Sequence, residues 1–206
     1  GLDPTAKALE QPVGTNPEPQ TSALPPSLSL GLFLASIIVA YAVERNDKGN
    51  NYPVRVTPPA YFFVIWGVIF ASMIGVIVYV LVKRHWTERT HFWMCMTSIS
   101  SIGWVLLGFL PDSKAKPVIR YFALLMIVIS ILMVWRTMQP QYFPTRTQYL
   151  IVRSIAAFYI GWPTCASCIG LATVVVYTFD QSQSTSIIIF WIGVAIMLSL
   201  MIIRSE

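Results

Sequence analysis

One uncharged segment constrains the fold of this chain more than any other feature. Residues 60–82 contain no Asp, Glu, Lys, Arg or His and are almost entirely apolar. About 20 residues that rise 1.5 Å each cross a hydrocarbon layer of about 30 Å. A single segment in that layer satisfies its backbone hydrogen bonds only as an α-helix. The segment therefore predicts a transmembrane helix.

Long apolar blocks recur along the chain, separated by short connections that hold charged residues, proline or polar residues. This layout is typical of a polytopic helical membrane protein. The mean hydropathy of +0.64 and a charged fraction of 11% agree, because soluble domains carry about 25% charge. We predict an all-α integral membrane protein, a bundle of about six transmembrane helices with spans at residues 28–43, 60–82, 91–110, 121–135, 149–179 and 185–203.

The amino-terminal segment differs in composition from the rest. Residues 1–27 are rich in proline and polar residues and show neither apolar periodicity nor an apolar block. We predict an extended or disordered tail there, followed by a single transmembrane domain over residues 28–206. The first residue is Gly1, and no secretory signal peptide is visible. Removal of a targeting segment and trimming of the chain both stay open as explanations.

Two Trp-containing segments carry a family resemblance. Thr-Pro-Pro-Ala-Tyr-Phe-Phe-Val-Ile-Trp opens the second span at residues 57–66, and Tyr-Ile-Gly-Trp-Pro-Thr-Cys-Ala lies in the fifth at residues 159–166. Together with Trp104 in the third span, they resemble the tryptophan-rich sensory protein/translocator protein family (TspO-type), and most of all its longer branch. The resemblance covers residues 28–178.

This resemblance implies a five-helix core, to which the chain adds one extra C-terminal helix. In the family, the core surrounds a pocket for tetrapyrroles, sterols and synthetic aromatic ligands, with no settled enzymatic activity. The ligand-binding residues that the resemblance implies here are Pro59, Tyr61, Trp66, Trp104, Tyr159 and Trp162. Two positions depart from the family pattern: Tyr61 replaces a Trp, and Gly170 stands where Asn is frequent.

Each of these residues also has a purely structural interpretation. Trp and Tyr are enriched at membrane interfaces, and a Trp inside a span also serves helix packing. Pro58 and Pro59 fix the backbone at a helix entrance, where a missing N–H costs nothing. Arg153 lies about one turn inside the fifth span, where it either extends to lipid head groups or binds an anionic group.

Residues for catalysis and metal binding are sparse. His85 and His91 flank the connection between the second and third spans, so no histidine lies at mid-span to hold a redox haem. Cys165 and Cys168 stand at i and i+3 on a predicted membrane helix, where they favour packing over metal binding. No carboxylate pair, catalytic triad or phosphate-binding loop is recognisable. We therefore expect no enzyme activity, no metal site and no nucleic-acid partner.

Two functions remain open from the sequence. The first is non-enzymatic binding of a flat hydrophobic ligand, a non-covalent tetrapyrrole, pigment or sterol, in an aromatic-lined bundle. The second is a structural role as an accessory subunit of a large mitochondrial or plastid respiratory or photosynthetic membrane complex. Both place the chain in an organellar membrane with lipids as neighbours. The net charge of +5 suits contact with anionic head groups.

Overall fold

The computed structural model describes residues 25–44, 52, 54, 64–83 and 86–202. Helices account for nearly all of them, and no strand occurs within these ranges. The predicted all-α fold with about six spans is confirmed. The helices are α1 (Pro26–Glu44), α2 (Val64–Lys83), α3 (Glu88–Leu106), α4 (Lys116–Thr137), α5 (Arg146–Thr178) and α6 (Gln183–Ile202).

The helices match the predicted spans in order and approximate length. Within the described residues, four are long and apolar enough to cross a membrane: α2, α3 with the 3-10 turn that follows it, α4 and α5. The apolar parts of α1 and α6 are shorter there, Ser27–Ala42 and Gln183–Ile196. The start of the second predicted span, residues 60–63, and residues 1–24 of the predicted tail lie outside the described residues.

Local sequence signals explain several helix starts. Thr87 caps α3 by accepting a hydrogen bond from the Thr90 N–H at 3.3 Å, and Thr145 caps α5 in the same way through Gln148 at 3.2 Å. Pro117 lies in the first turn of α4, where its missing N–H is not needed. The fourth helix therefore begins five residues before the predicted start of its span.

Five helices form a closed ring. α1 packs against α2 and α3, α4 packs against α3 and α5, and α2 also packs against α5. The order around the ring is therefore α1, α2, α5, α4, α3. α6 lies outside the ring and packs against α5. This arrangement agrees with the expected five-helix core and additional C-terminal helix.

The connections between helices alternate between two ends of the bundle. The proximal end holds the start of α1 and the α2–α3 and α4–α5 connections, and the distal end holds the other connections. Contacts between distant residues agree with this assignment. Ser29 Oγ lies 3.1 Å from His91 Nδ1 at the proximal end, and the Tyr52 hydroxyl donates to Asp112 at 3.2 Å at the distal end.

Apolar side chains fill the interior and also cover the outside. The largest fully buried apolar side chains are Phe33, Ile69, Met73, Ile77, Met94 and Ile131. Outward-facing apolar residues include Ile38, Val68, Phe122, Ile188 and Trp191. Lipid tails are as apolar as these side chains, so helices in a bilayer associate through close packing rather than through exclusion of water.

Two glycines allow the closest helix contacts. A Cβ atom built on Gly193 of α6 would lie 2.9 Å from Cys168 Sγ on α5, which is too close without movement. A Cβ atom on Gly170 of α5 would lie 3.2 Å from the Tyr121 ring on α4. Small residues at such positions bring helix backbones together, as is common in membrane proteins. Gly170 therefore serves the α4–α5 contact at a position where the family often has Asn.

We predict that Gly193→Val weakens the docking of α6 on α5. The added methyl groups overlap Cys168, and overpacking of this kind costs about 1–3 kcal/mol. The unfolding free energy of the purified protein in mixed detergent micelles measures the effect. Gly75→Val on α2 is the matched control, because a Cβ atom there meets nothing within 4 Å. Equal stability of the two variants would contradict the proposed contact.

Candidate functional site

Five aromatic residues from three helices form a continuous group, which we call the aromatic cluster: Phe33 of α1, Trp66 and Phe70 of α2, and Tyr159 and Trp162 of α5. The Phe33 ring stands edge-to-face against Phe70 at 6.0 Å and against Tyr159 at 5.9 Å. Trp66 stacks on Phe70 at 5.0 Å and meets Trp162 edge-to-face at 5.7 Å, all between ring centroids.

These ring geometries are the favourable ones for aromatic pairs. Edge-to-face and offset-stacked pairs with centroids about 4.5–7 Å apart contribute about 0.5–1.5 kcal/mol each beyond the area they bury. Since lipid provides no hydrophobic force between helices, such contacts carry much of the association of α1, α2 and α5. The aromatic cluster therefore joins α1, α2 and α5, which are consecutive in the ring.

The members of the aromatic cluster differ in burial. Phe33 and Tyr159 are buried, with 0% and 4% of their surface exposed, whereas Trp66 and Trp162 are half-buried. Trp66 contacts Trp162, which lies at the middle of α5, so the two indole rings lie near the middle of the bundle.

The structure brings three of the predicted site residues together and places a fourth elsewhere. Trp66, Tyr159 and Trp162 belong to the aromatic cluster. Trp104 of α3 is half-buried under the Arg120 guanidinium of α4, 4.8 Å from its ring centroid. Among the described residues, Trp104 forms no ring contact with a member of the aromatic cluster. Pro59 and Tyr61 lie outside the described residues, so their predicted roles stay predictions.

Sequence reasoning missed two members of the cluster. Phe70 follows Trp66 by four residues, so both lie on one helix face, and that spacing was an available signal. Phe33 carries no such signal, because its partners belong to α2 and α5, far away in the chain. Its burial follows from tertiary packing alone.

A polar network lies at the distal end. Asp112 accepts hydrogen bonds from the Tyr52 hydroxyl at 3.2 Å and from Lys116 Nζ at 3.0 Å, and Lys116 also lies 5.8 Å from the Tyr52 ring centroid. Lys114 forms an ion pair with Asp180. These contacts link residues of the three helix connections at this end.

The residues considered for metal or redox chemistry have structural partners. His91 is buried, shares a hydrogen bond with Ser29 and stands edge-to-face against Trp86 at 5.4 Å. Cys168 is buried against Gly193, and Cys165 faces outward. In the part of the chain that the structure describes, no group of three His, Cys, Asp or Glu residues is arranged to hold a metal ion.

The fold and this site define a class of protein: an integral membrane bundle of five ring-forming helices with an aromatic interior and one helix outside. A family model described as a TSPO-like protein matches residues 28–206. The chain therefore belongs to the TSPO-like family, and the match extends through α6. No curated protein and no solved structure matches the sequence.

We predict that Phe33→Leu destabilises the bundle. Leu fits the helix but removes two edge-to-face contacts, which together contribute about 1–3 kcal/mol. Unfolding of the purified protein in mixed micelles measures the change. Phe158→Leu is the matched control, since this side chain is 49% exposed and faces outward from α5. A Phe33→Leu variant as stable as the control would contradict the structural role of the cluster.

Proposed function

We propose that this membrane protein binds a flat hydrophobic ligand, of which a tetrapyrrole is the best candidate, at the aromatic cluster. The observation that carries the proposal is the pair of half-buried indole rings, Trp66 and Trp162, 5.7 Å apart between α2 and α5. Both residues lie in the segments that resemble the family's ligand pocket. Membership of the TSPO-like family supports a site for hydrophobic ligands.

A planar aromatic ligand suits this site for a physical reason. The rings of the cluster offer faces and edges on which a porphyrin or pigment stacks without any charged partner, and each such contact is worth about 0.5–1.5 kcal/mol. Entry requires the two indole rings to separate, because at present they contact each other.

The proposed role is non-enzymatic. The side chains of the cluster are two indoles, two phenyl rings and one phenol, with no carboxylate, imidazole or thiol among them. General acid–base and nucleophilic catalysis depend on such groups or on a bound metal. Family membership points the same way, because TSPO-like proteins are generally non-enzymatic.

We predict that Trp66→Leu and Trp162→Leu each weaken binding of protoporphyrin IX by about tenfold or more, which is about 1.4 kcal/mol or more. Each substitution removes one face of the proposed site. Titration of protoporphyrin IX into the protein in detergent, followed by the shift of its main absorption band, measures the dissociation constant without using tryptophan emission.

Two further variants serve as controls for this titration. Trp191→Leu removes an indole that is 62% exposed on α6 and should leave affinity unchanged. Trp104→Leu removes the indole that contacts Arg120 and should weaken binding less than the cluster variants. The same apparent affinity in the wild type and all four variants would indicate non-specific partition into the micelle and contradict the site. The absence of saturable binding to the wild type would overturn the proposed function.

A second candidate is a role as an accessory subunit, which the position of α6 favours. α6 lies outside the ring and presents Ile188, Trp191, Ile192 and Ile196 outward, away from α5. A neighbouring membrane subunit would pack on this face. Native electrophoresis after mild solubilisation of the source membrane tests this role: an assembly lost with Trp191→Ala but kept with Phe122→Ala, on the outer face of α4, supports it. A protein that migrates alone contradicts it.

A further inference from the structure

An arginine without a carboxylate partner lies at the proximal end of the bundle. The Arg153 guanidinium of α5 lies 4.4 Å from the Trp135 ring centroid and 5.4 Å from that of Tyr149, and it donates a hydrogen bond to the Tyr149 hydroxyl. In the part of the chain that the structure describes, no Asp or Glu pairs with it. The cation is thus held by aromatic rings and one phenol, none of which neutralises its charge.

The two rings hold the guanidinium in a defined position. Stacking on Trp and Tyr fixes the plane of an arginine side chain while leaving N–H groups at its edge. Tyr149 is buried and lies four residues before Arg153, one turn away on the same helix face. An arginine side chain that only extended to the lipid head groups would not require these ring contacts. The geometry therefore orders a set of donors for a planar or tetrahedral anion.

A second donor lies beside the guanidinium. The indole Nε1 of Trp135 is buried and has no hydrogen-bond partner within the described residues. The guanidinium stacks on this same ring, so the Arg153 donors and the indole N–H are neighbours. A buried N–H without an acceptor is costly, which makes a ligand oxygen at this position favourable.

The charge of this region selects for anions. Residues 113–179, which include α4, α5 and their connection, contain no Asp or Glu at all. At the proximal end they contribute Arg136 in the last turn of α4, Arg146 in the first turn of α5, and Arg153. A zwitterionic head group such as choline phosphate would bring its cation near these arginines. An anionic phosphodiester meets no such repulsion.

The depth of the site matches that of lipid phosphates. α4 has 22 residues, about 33 Å of helix, which is close to the thickness of the hydrocarbon layer. Trp135 lies two residues before the end of α4 and therefore at the membrane interface. Arg153, stacked on Trp135, lies at the same depth. Residues Arg146 to Val152 of α5 then extend toward or beyond the head groups.

We propose that Arg153, Trp135 and Tyr149 form a binding site for a phosphate group, that of an anionic phospholipid head group or of a soluble phosphate compound. Arg153 supplies the charge and a forked set of donors, Trp135 supplies the stacking surface and an indole N–H, and Tyr149 positions the guanidinium. This site lies at the proximal end and is separate from the aromatic cluster. It does not depend on the proposed tetrapyrrole binding.

The test compares short-chain lipids with a soluble phosphate. Dihexanoyl phosphatidylglycerol, dihexanoyl phosphatidylcholine and inorganic phosphate are each titrated into the full chain in a non-ionic detergent, and the thermal unfolding midpoint is recorded. Saturable stabilisation by phosphatidylglycerol, with little by phosphatidylcholine, is expected if the site takes an anionic lipid. Stabilisation by inorganic phosphate at a similar concentration would assign the site to soluble phosphate compounds. Equal stabilisation by the two lipids, with none from inorganic phosphate, would overturn the proposal.

Variants of Arg153 distinguish a binding site of defined geometry from an attraction that depends on positive charge alone. Arg153→Gln should weaken the phosphatidylglycerol effect by about tenfold or more. Arg153→Lys retains the charge but loses the planar fork and the stacking, so it should also weaken binding clearly. Arg136→Gln removes an exposed arginine from the same end. It should change the phosphatidylglycerol effect by less than about threefold. If Arg153→Lys binds as well as the wild type, or Arg136→Gln has the larger effect, the site is contradicted. The Lys variant also covers the case in which Arg153→Gln fails to fold.

Discussion

The helices of this protein must satisfy their own backbone hydrogen bonds, because the hydrocarbon layer offers no alternative partner. Lipid also supplies no hydrophobic force that drives one helix against another. The arrangement of the helices therefore depends on specific contacts between side chains and on close approach of backbones. Among the described helices α5 has the most neighbours, since it packs against α2, α4 and α6.

α5 uses a different kind of contact for each neighbour. Toward α1 and α2 it presents Tyr159 and Trp162 to the aromatic cluster. Toward α4 and α6 the contacts depend on small volume, since Gly170 faces Tyr121 and Cys168 faces Gly193. The proposed flat ligand could insert between aromatic rings if they separated. It could not insert where helix backbones approach each other at a glycine. The ligand site is therefore expected on the α2 side of α5 and not on the α6 side.

The two ends of the bundle differ in chemistry. The distal end pairs its cations with acidic residues, as in the contacts of Lys114 with Asp180 and of Lys116 with Asp112. The proximal end of α4 and α5 carries arginines supported by aromatic rings and no acidic residue. An anion at the proximal end of α4 and α5 therefore meets arginines with no acidic residue on the same two helices. A hydrophobic ligand in the middle of the bundle would depend on neither end.

The sequence predicted the helices well, because a long uncharged apolar segment is recognisable from consecutive residues alone. It also indicated Trp66 and Trp162, because short motifs resemble known family segments. It did not indicate Phe33, whose burial depends on residues from two other helices, or the separate position of Trp104 under Arg120. The predicted span at residues 121–135 starts five residues after α4 does, because Lys116 and Arg120 interrupt the apolar pattern. Both belong to the helix: Lys116 pairs with Asp112, and Arg120 stacks on Trp104.

The central claim is that α2 packs against α5 and so closes the ring. Cross-linking between these two helices in membranes tests it most directly. In a chain with Cys95, Cys165 and Cys168 replaced by Ala, Trp66→Cys combined with Trp162→Cys should form an intramolecular link with a short bismaleimide, since the two rings are 5.7 Å apart. Trp66→Cys combined with Trp191→Cys should not, because Trp191 faces outward from α6. A link in the second pair and none in the first would contradict the ring order described for this bundle.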